Sequence, residues 1–195
     1  MKKAESVQYI MLDSKFMKLI TIIIMIFIVF AFETAFALPD LMEIKHISAK
    51  GRVQDKKYNP GSPIIDELIK NGKTSIPFLI ERLKSKKTYG PGVLDFWPYV
   101  EERHVALIIL TDFFLDSSWK KSTAPDMCFN YLLSVNREYP DLAIWSIFYD
   151  HFSPDDWNLL INKWDYFGEI NKDKIYWDSK DRFFRIEGKE LNFCQ

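Results

Sequence analysis

The stretch SPIIDELIKNGKTSIPFLIERLKSKKTYGPGVLDFWPYVEERHVALIILTDFFL, residues 62–115, decides the fold. Ser62 is an N-cap residue, and Pro63 stands at the first helical position, where its missing N–H costs nothing. Ile64, Ile65, Leu68 and Ile69 recur on one stripe, and Asn71-Gly72 supplies a left-handed stop, which predicts a helix of about ten residues. A second helix starts at Thr74 or Ser75 and tolerates Pro77 in its first turn. It buries Ile76, Leu79, Ile80 and Leu83, with Lys84, Lys86 and Lys87 at its negative end. So short a link makes the two helices antiparallel. Residues 88–100 hold too many turn residues for a helix and too many aromatics for a free linker, so Phe96, Trp97 and Tyr99 are expected to fold back onto something. From Glu101 the helical rhythm returns through Val105, Ala106, Ile109, Leu110, Phe113 and Phe114, with Leu107 and Ile108 filling the flanks. A helix apolar on nearly every side is a buried one.

Upstream, Lys15 and Lys18 precede an apolar run from Leu19 to Phe32, followed by Ala35-Phe36-Ala37. Charged region, apolar region and A-x-A site together read as a signal peptide cut after Ala37. The run falls short of the roughly 20 apolar residues that span a bilayer; the alternative is an uncleaved anchor over residues 16–38, the one route to a membrane. Met1 and Met17 are both candidate starts. Residues 1–37 carry four Lys and three acids, which leaves 22 basic and 24 acidic residues in the exported chain. A charge so near neutral offers no basic face for nucleic acid. The aromatic fraction of 16% lets the chain bury enough surface to offset the entropy of ordering. Residues 38–59 read as an irregular lead-in lying along the helices, with His46 solvated.

Downstream, Thr123 with Pro125 opens a helix through Val135, and a further mostly apolar helix spans residues 141–152. Ser153-Pro154-Asp155-Asp156 is a cap, a proline and an acid in the order that starts a helix. Trp157, Leu160, Ile161 and Trp164 follow at helical spacing, and Gly168 ends the run. Residues 174–188 read as a β-hairpin around the polar turn 178–181, docked through Trp177, Phe183 or Phe184 because a lone hairpin is marginal. The fold class is mainly α: a compact bundle or short α–α superhelix of about five to six helices in one domain over residues 38–195, with a small C-terminal hairpin. Cys128 and Cys194 admit two readings. In an exported protein they can pair, closing a loop worth roughly 4 kcal/mol in the chain-entropy model, or Cys128 is a small core residue and Cys194 a frayed terminal thiol.

The capped helix, Asn-Gly turn and SIPFLIERL second helix of residues 62–86 resemble one unit of the HEAT-type helical repeats. The resemblance implies an α-solenoid or α–α bundle that binds proteins.

Motifs of catalysis are few. No CxxC, HExxH or HxH spacing occurs, and the three histidines stand apart at 46, 104 and 151, which gives no ligand set for a metal. Asp150-His151 lies near Asp155-Asp156, but those acids already cap a helix. No nucleophile elbow is present, Gly90-Pro91-Gly92 lacks the residues of a phosphate loop, and no cofactor is implied. Asp95, Glu101, Glu102 and His104 gather in sequence at the entrance to the buried helix. They are the candidates for acid–base chemistry; otherwise the two glutamates stabilise the helix end and His104 is partly exposed in its first turn. Loop aromatics Trp97, Tyr99, Trp119 and Trp177 are the candidates for binding. The expectation is an exported, non-enzymatic helical protein that binds another protein in the envelope. A glycan-binding or glycan-cleaving protein using those aromatics and carboxylates is the alternative, and a structural envelope protein without a discrete ligand is a third.

Overall fold

In the computed structural model, which describes residues 38–48, 51–60, 62–95, 97–118, 120–128 and 153–194, Ser62 caps helix α1, Pro63–Asn71, by accepting the Ile65 N–H at 3.4 Å. Gly72, at φ 60, turns the chain out of the helix, and a single 3-10 turn, Gly72–Thr74, leads straight into α2, Ser75–Arg82. The Ser75 hydroxyl donates to the Leu68 carbonyl at 2.6 Å, so an acceptor near the α1 terminus is satisfied by the helix that follows. Helix α3, Glu102–Phe114, is the centre of the core: only Arg103 and Ile108 along it escape full burial. The sequence signal behind this is its apolar character on every side, which leaves no face that solvent could favour.

Helix α4, Pro154–Asn171, begins with a capping box in which Asp156 N–H donates to Ser153 Oγ at 3.2 Å and Ser153 N–H donates to Asp156 Oδ2 at 2.9 Å. It does not stop at Gly168. A Cβ at that position would lie 2.8 Å from Ile80 Cδ1, so this glycine is a close-approach residue between α4 and α2 rather than a helix terminator. Trp164 and Phe167 from α4 meet the Phe114 ring at centroid distances of 6.1 and 5.2 Å.

The hairpin pairs β2, Ile175–Asp178, with β3, Phe183–Ile186, in the register Ile175↔Ile186 and Trp177↔Phe184. Arg182 takes φ 57 at the end of the turn. Phe184 is fully buried, 5.4 Å from Phe113 and 6.0 Å from Phe114; burying such a side chain contributes about 1.5–3 kcal/mol. A second antiparallel pair joins β1, Lys121–Ser122, to β4, Asn192–Phe193. The architecture is therefore mixed and mainly helical, with two small antiparallel sheets among the described residues.

The lead-in is more than a cover. Leu41, Ile44, Ile47 and Val53 belong to the core, and Asp40 caps a 3-10 turn at Leu41–Glu43. Residues Pro125–Met127 form a single 3-10 turn after which Cys128 is extended, at φ −66 and ψ 146, so the α-helix expected to open at Pro125 does not form there. Its continuation through Val135 and the helix over 141–152 lie outside the described residues. Cys128 and Cys194 are joined in a disulfide with Cα atoms 5.6 Å apart across 66 residues. Among the described residues no helix is long and apolar enough to cross a membrane.

At Gly168, Ala is expected to be tolerated because the clash falls on a terminal methyl that can rotate. Gly168→Leu overfills the α2–α4 contact and is expected to cost about 1–3 kcal/mol, read as a lower urea midpoint with an unchanged slope; an unchanged midpoint would show that the two helices do not meet there.

Candidate binding surface

The loop before α3 folds into a short ribbon. Thr88 and Glu101 form an antiparallel bridge, Tyr89 N–H donates to the Val100 carbonyl at 2.8 Å, and Glu102 N–H donates to the Lys87 carbonyl at 2.8 Å. Alternation along an extended chain then sorts the side chains. Val100 is buried and Tyr89 half-buried, its hydroxyl donating to the Leu41 carbonyl at 2.5 Å; burial raises its pKa above the ordinary phenol value. Thr88 and Tyr99 face outward, and Tyr99 is 84% exposed.

The other aromatic candidates fare differently. Trp97 is partly buried and packs on the core, and its main-chain N–H donates to the Leu94 carbonyl at 3.3 Å. Trp177 also packs on the core, with Phe184 5.0 Å away and Phe113 6.3 Å away, both edge-on, so it docks the hairpin. Trp119 and Phe96 lie outside the described residues.

The acid–base group separates into two places. Asp95 accepts from the Ser48 hydroxyl at 2.9 Å and is bonded to His46 Nε2 at 2.7 Å. His46 is thus not merely solvated: the bridge between Ile47 and Leu94 aligns the two loops and brings imidazole to carboxylate. Hydroxyl and imidazole both bond the carboxylate, whereas a nucleophilic relay places the imidazole between the other two. At the entrance to α3, Glu102 is fully buried, accepts from Ser85 Oγ at 2.6 Å and pairs with Arg82 at 3.6 Å. His104 is buried rather than partly exposed. Its Nδ1 accepts the Glu101 N–H at 3.0 Å, and its ring lies 5.5 Å from Trp157 of α4. Arg103 reaches across to stack over the same Trp157 ring, 4.4 Å from its centroid, and pairs with Glu101 at 2.5 Å. Asp150 and His151 lie outside the described residues. Among the described residues no three His, Cys, Asp or Glu side chains gather closely enough to hold a metal ion.

One ionisable group was not singled out from the sequence. Asp112 is buried inside α3, where Oδ2 accepts the Val53 N–H at 2.9 Å and the main-chain carbonyl accepts from Gln54 Nε2 at 3.2 Å. A lone acid inside an apolar helical run is a signal that a partner must exist elsewhere in the chain. Burial raises its pKa to about 7 against the pull of the Val53 N–H and the Arg52 guanidinium. For His104, burial and then the neighbouring Arg103 lower the pKa to about 4.

These two shifts oppose each other. The folded state holds the Asp112 proton more tightly than the unfolded chain does, so its contribution is full below pH 3.8 and is lost as pH rises through about 7. His104 binds its proton less tightly when folded, so its contribution is present above pH 6.5 and is lost as pH falls toward about 4. Relative to the parent, Asp112→Asn is expected to gain stability as pH rises from about 4 to about 7. His104→Gln keeps an acceptor at the third helical position and is expected to lose stability relative to the parent as pH rises from about 4 to 6.5. Urea unfolding at intervals across this range reads both, and curves parallel to the parent would show that neither group is desolvated. Comparison with family models, with curated proteins and with solved structures finds no match to this chain.

Proposed function

We propose that this chain is an exported, non-enzymatic helical protein that binds another protein in the cell envelope, as an inhibitor or an assembly factor. The observation that carries the reading is Tyr99, 84% exposed on a ribbon whose opposite face is pinned into the core. A large ring carried at a fixed backbone position and open to solvent offers contact area to a partner. Export is supported by the leader pattern of residues 1–37, with cleavage after Ala37, and by the disulfide, since such bonds persist in oxidising compartments. The finer architecture we infer is a compact bundle or short α–α superhelix of about five to six helices, HEAT-like at residues 62–86. It is supported by the α1–α2 pair and its one-turn link.

The acid–base candidates favour binding over catalysis, because Glu102 and His104 are buried and each already serves a structural contact. Glu102 is sealed against Ser85 and Arg82, and His104 completes a helix cap. A glycan could stack on Tyr99, but a glycosidase needs two carboxylates facing each other across roughly 5–10 Å of open cleft, and Glu102 opens on none.

A photo-crosslinking phenylalanine analogue at position 99, irradiated in an intact envelope fraction, tests the reading. One discrete adduct is expected at position 99 and none with the same analogue at exposed Lys180. Tyr99→Ala is expected to weaken capture of that partner at least about tenfold, the scale of a hot-spot residue. The absence of a position-specific adduct would overturn the binding reading.

A further inference from the structure

We propose that the Cys128–Cys194 bond is a clasp on the C-terminal tail. A dithiol opens it through the Cys194 sulfur, and opening frees residues 190–194 while the helices and the hairpin stay folded.

Among the described residues the tail contributes nothing to the buried core. From Glu187 to Phe193 no residue is buried, and all but Leu191 are exposed. Glu187 and Lys189 still belong to the hairpin end, their N–H groups donating to the Lys174 carbonyl at 2.9 Å and the Ile186 carbonyl at 3.1 Å. Beyond them, among the described residues, the non-covalent hold on the body is the two-residue ladder of β4 on β1, the Cys194 N–H donating to the Lys120 carbonyl at 2.8 Å, and the Lys121 ammonium 4.6 Å from the Phe193 ring centroid. A pairing this short does not hold two segments together in water. Gly188, two residues beyond the end of β3, has φ 73 and open space where a Cβ would sit, which places a pivot between the hairpin and the tail. The hairpin itself is anchored independently through buried Phe183, Phe184 and Ile186. The disulfide is therefore the strong link between tail and body.

The two sulfurs are not equivalent. Cys128 is 2% exposed, whereas Cys194 is only partly buried. An incoming thiolate reaches Cys194 Sγ and forms a new S–S bond there as the original bond breaks. Cys128 leaves as a thiolate and takes a proton from solvent. The second thiol of the reductant then attacks the mixed disulfide and releases Cys194. Two electrons pass from the dithiol, which ends as a disulfide, to the protein, which ends with two thiols. Opening also uncovers the Lys120–Ser122 edge that β4 had paired.

Hydrogen exchange of the full chain, oxidised and after dithiothreitol, tests the extent of release. Exchange is expected to rise at least tenfold at residues 190–194 and at Ser122, with α3, the β2–β3 hairpin and the Lys120 and Lys121 amides, which donate to the Asp116 carboxylate, unchanged; Cys194→Ser is expected to reproduce the reduced pattern. The route is tested by a brief pulse of 2-mercaptoethanol quenched in acid, which is expected to leave the adduct on Cys194. Loss of protection throughout α3, an unchanged tail, or an adduct on Cys128 would each overturn the proposal.

Discussion

A carboxyl group placed inside the most apolar helix of the chain sets the terms on which the fold closes. Asp112 cannot be left bare in that surrounding, since an unpaired buried charge is among the most costly things a core can contain. The lead-in supplies the answer: Val53 N–H bonds the carboxylate, Gln54 bonds the main-chain carbonyl of the same residue, and Arg52 donates to the Leu115 carbonyl at 3.0 Å. The hairpin turn completes the node, with Arg182 Nη2 donating to the Gln54 carbonyl at 2.6 Å and the Arg182 carbonyl accepting from Gln54 at 3.2 Å. Three segments remote in sequence are thereby tied at one place. The positive φ of Arg182 is the local strain that this arrangement accommodates.

Around that node the aromatic side chains divide into interior and surface by rules that differ with the element carrying them. On helices, position in the stripe decides: Trp157, Trp164 and Phe167 turn inward, whereas Tyr166 stays 69% exposed. On the ribbon before α3 a period of two decides, which is why Tyr89 and Tyr99 have opposite fates. Composition alone foresees neither outcome. The abundance of aromatics speaks for a core, and only the local period says which rings remain outside it.

Capped, strongly periodic elements were legible from their residues. The starts at Ser62 and Ser153, the buried helix after Glu101 and the hairpin centred on residues 178–181 all rest on local chemistry, and the local chemistry prevailed. What was not legible depends on distance. His46 finds Asp95 only because a backbone bridge aligns two loops; no feature within either loop announces the pairing. Gly168 reads as a stop by helix propensity, and the override comes from the neighbouring Ile80. Pro125 has the residues of a helix start and yields one 3-10 turn. The disulfide belongs with these: two cysteines define no spacing pattern, and their proximity is a property of the folded chain.

The node at Asp112 has a consequence for the order in which the molecule can become whole. Gln54 and Arg182 are separated by 128 residues, and contacts so remote carry the full entropic cost of loop closure before they return any stabilisation. A nascent chain that has reached α3 but not the hairpin can match Asp112 with Val53, yet it has no Arg182 to occupy the Gln54 carbonyl. The protein thus has no finished half. Phe184, which meets the rings of Phe113 and Phe114, arrives with the same hairpin, so the packing around the central helix is complete only in a chain that includes residues 183–186.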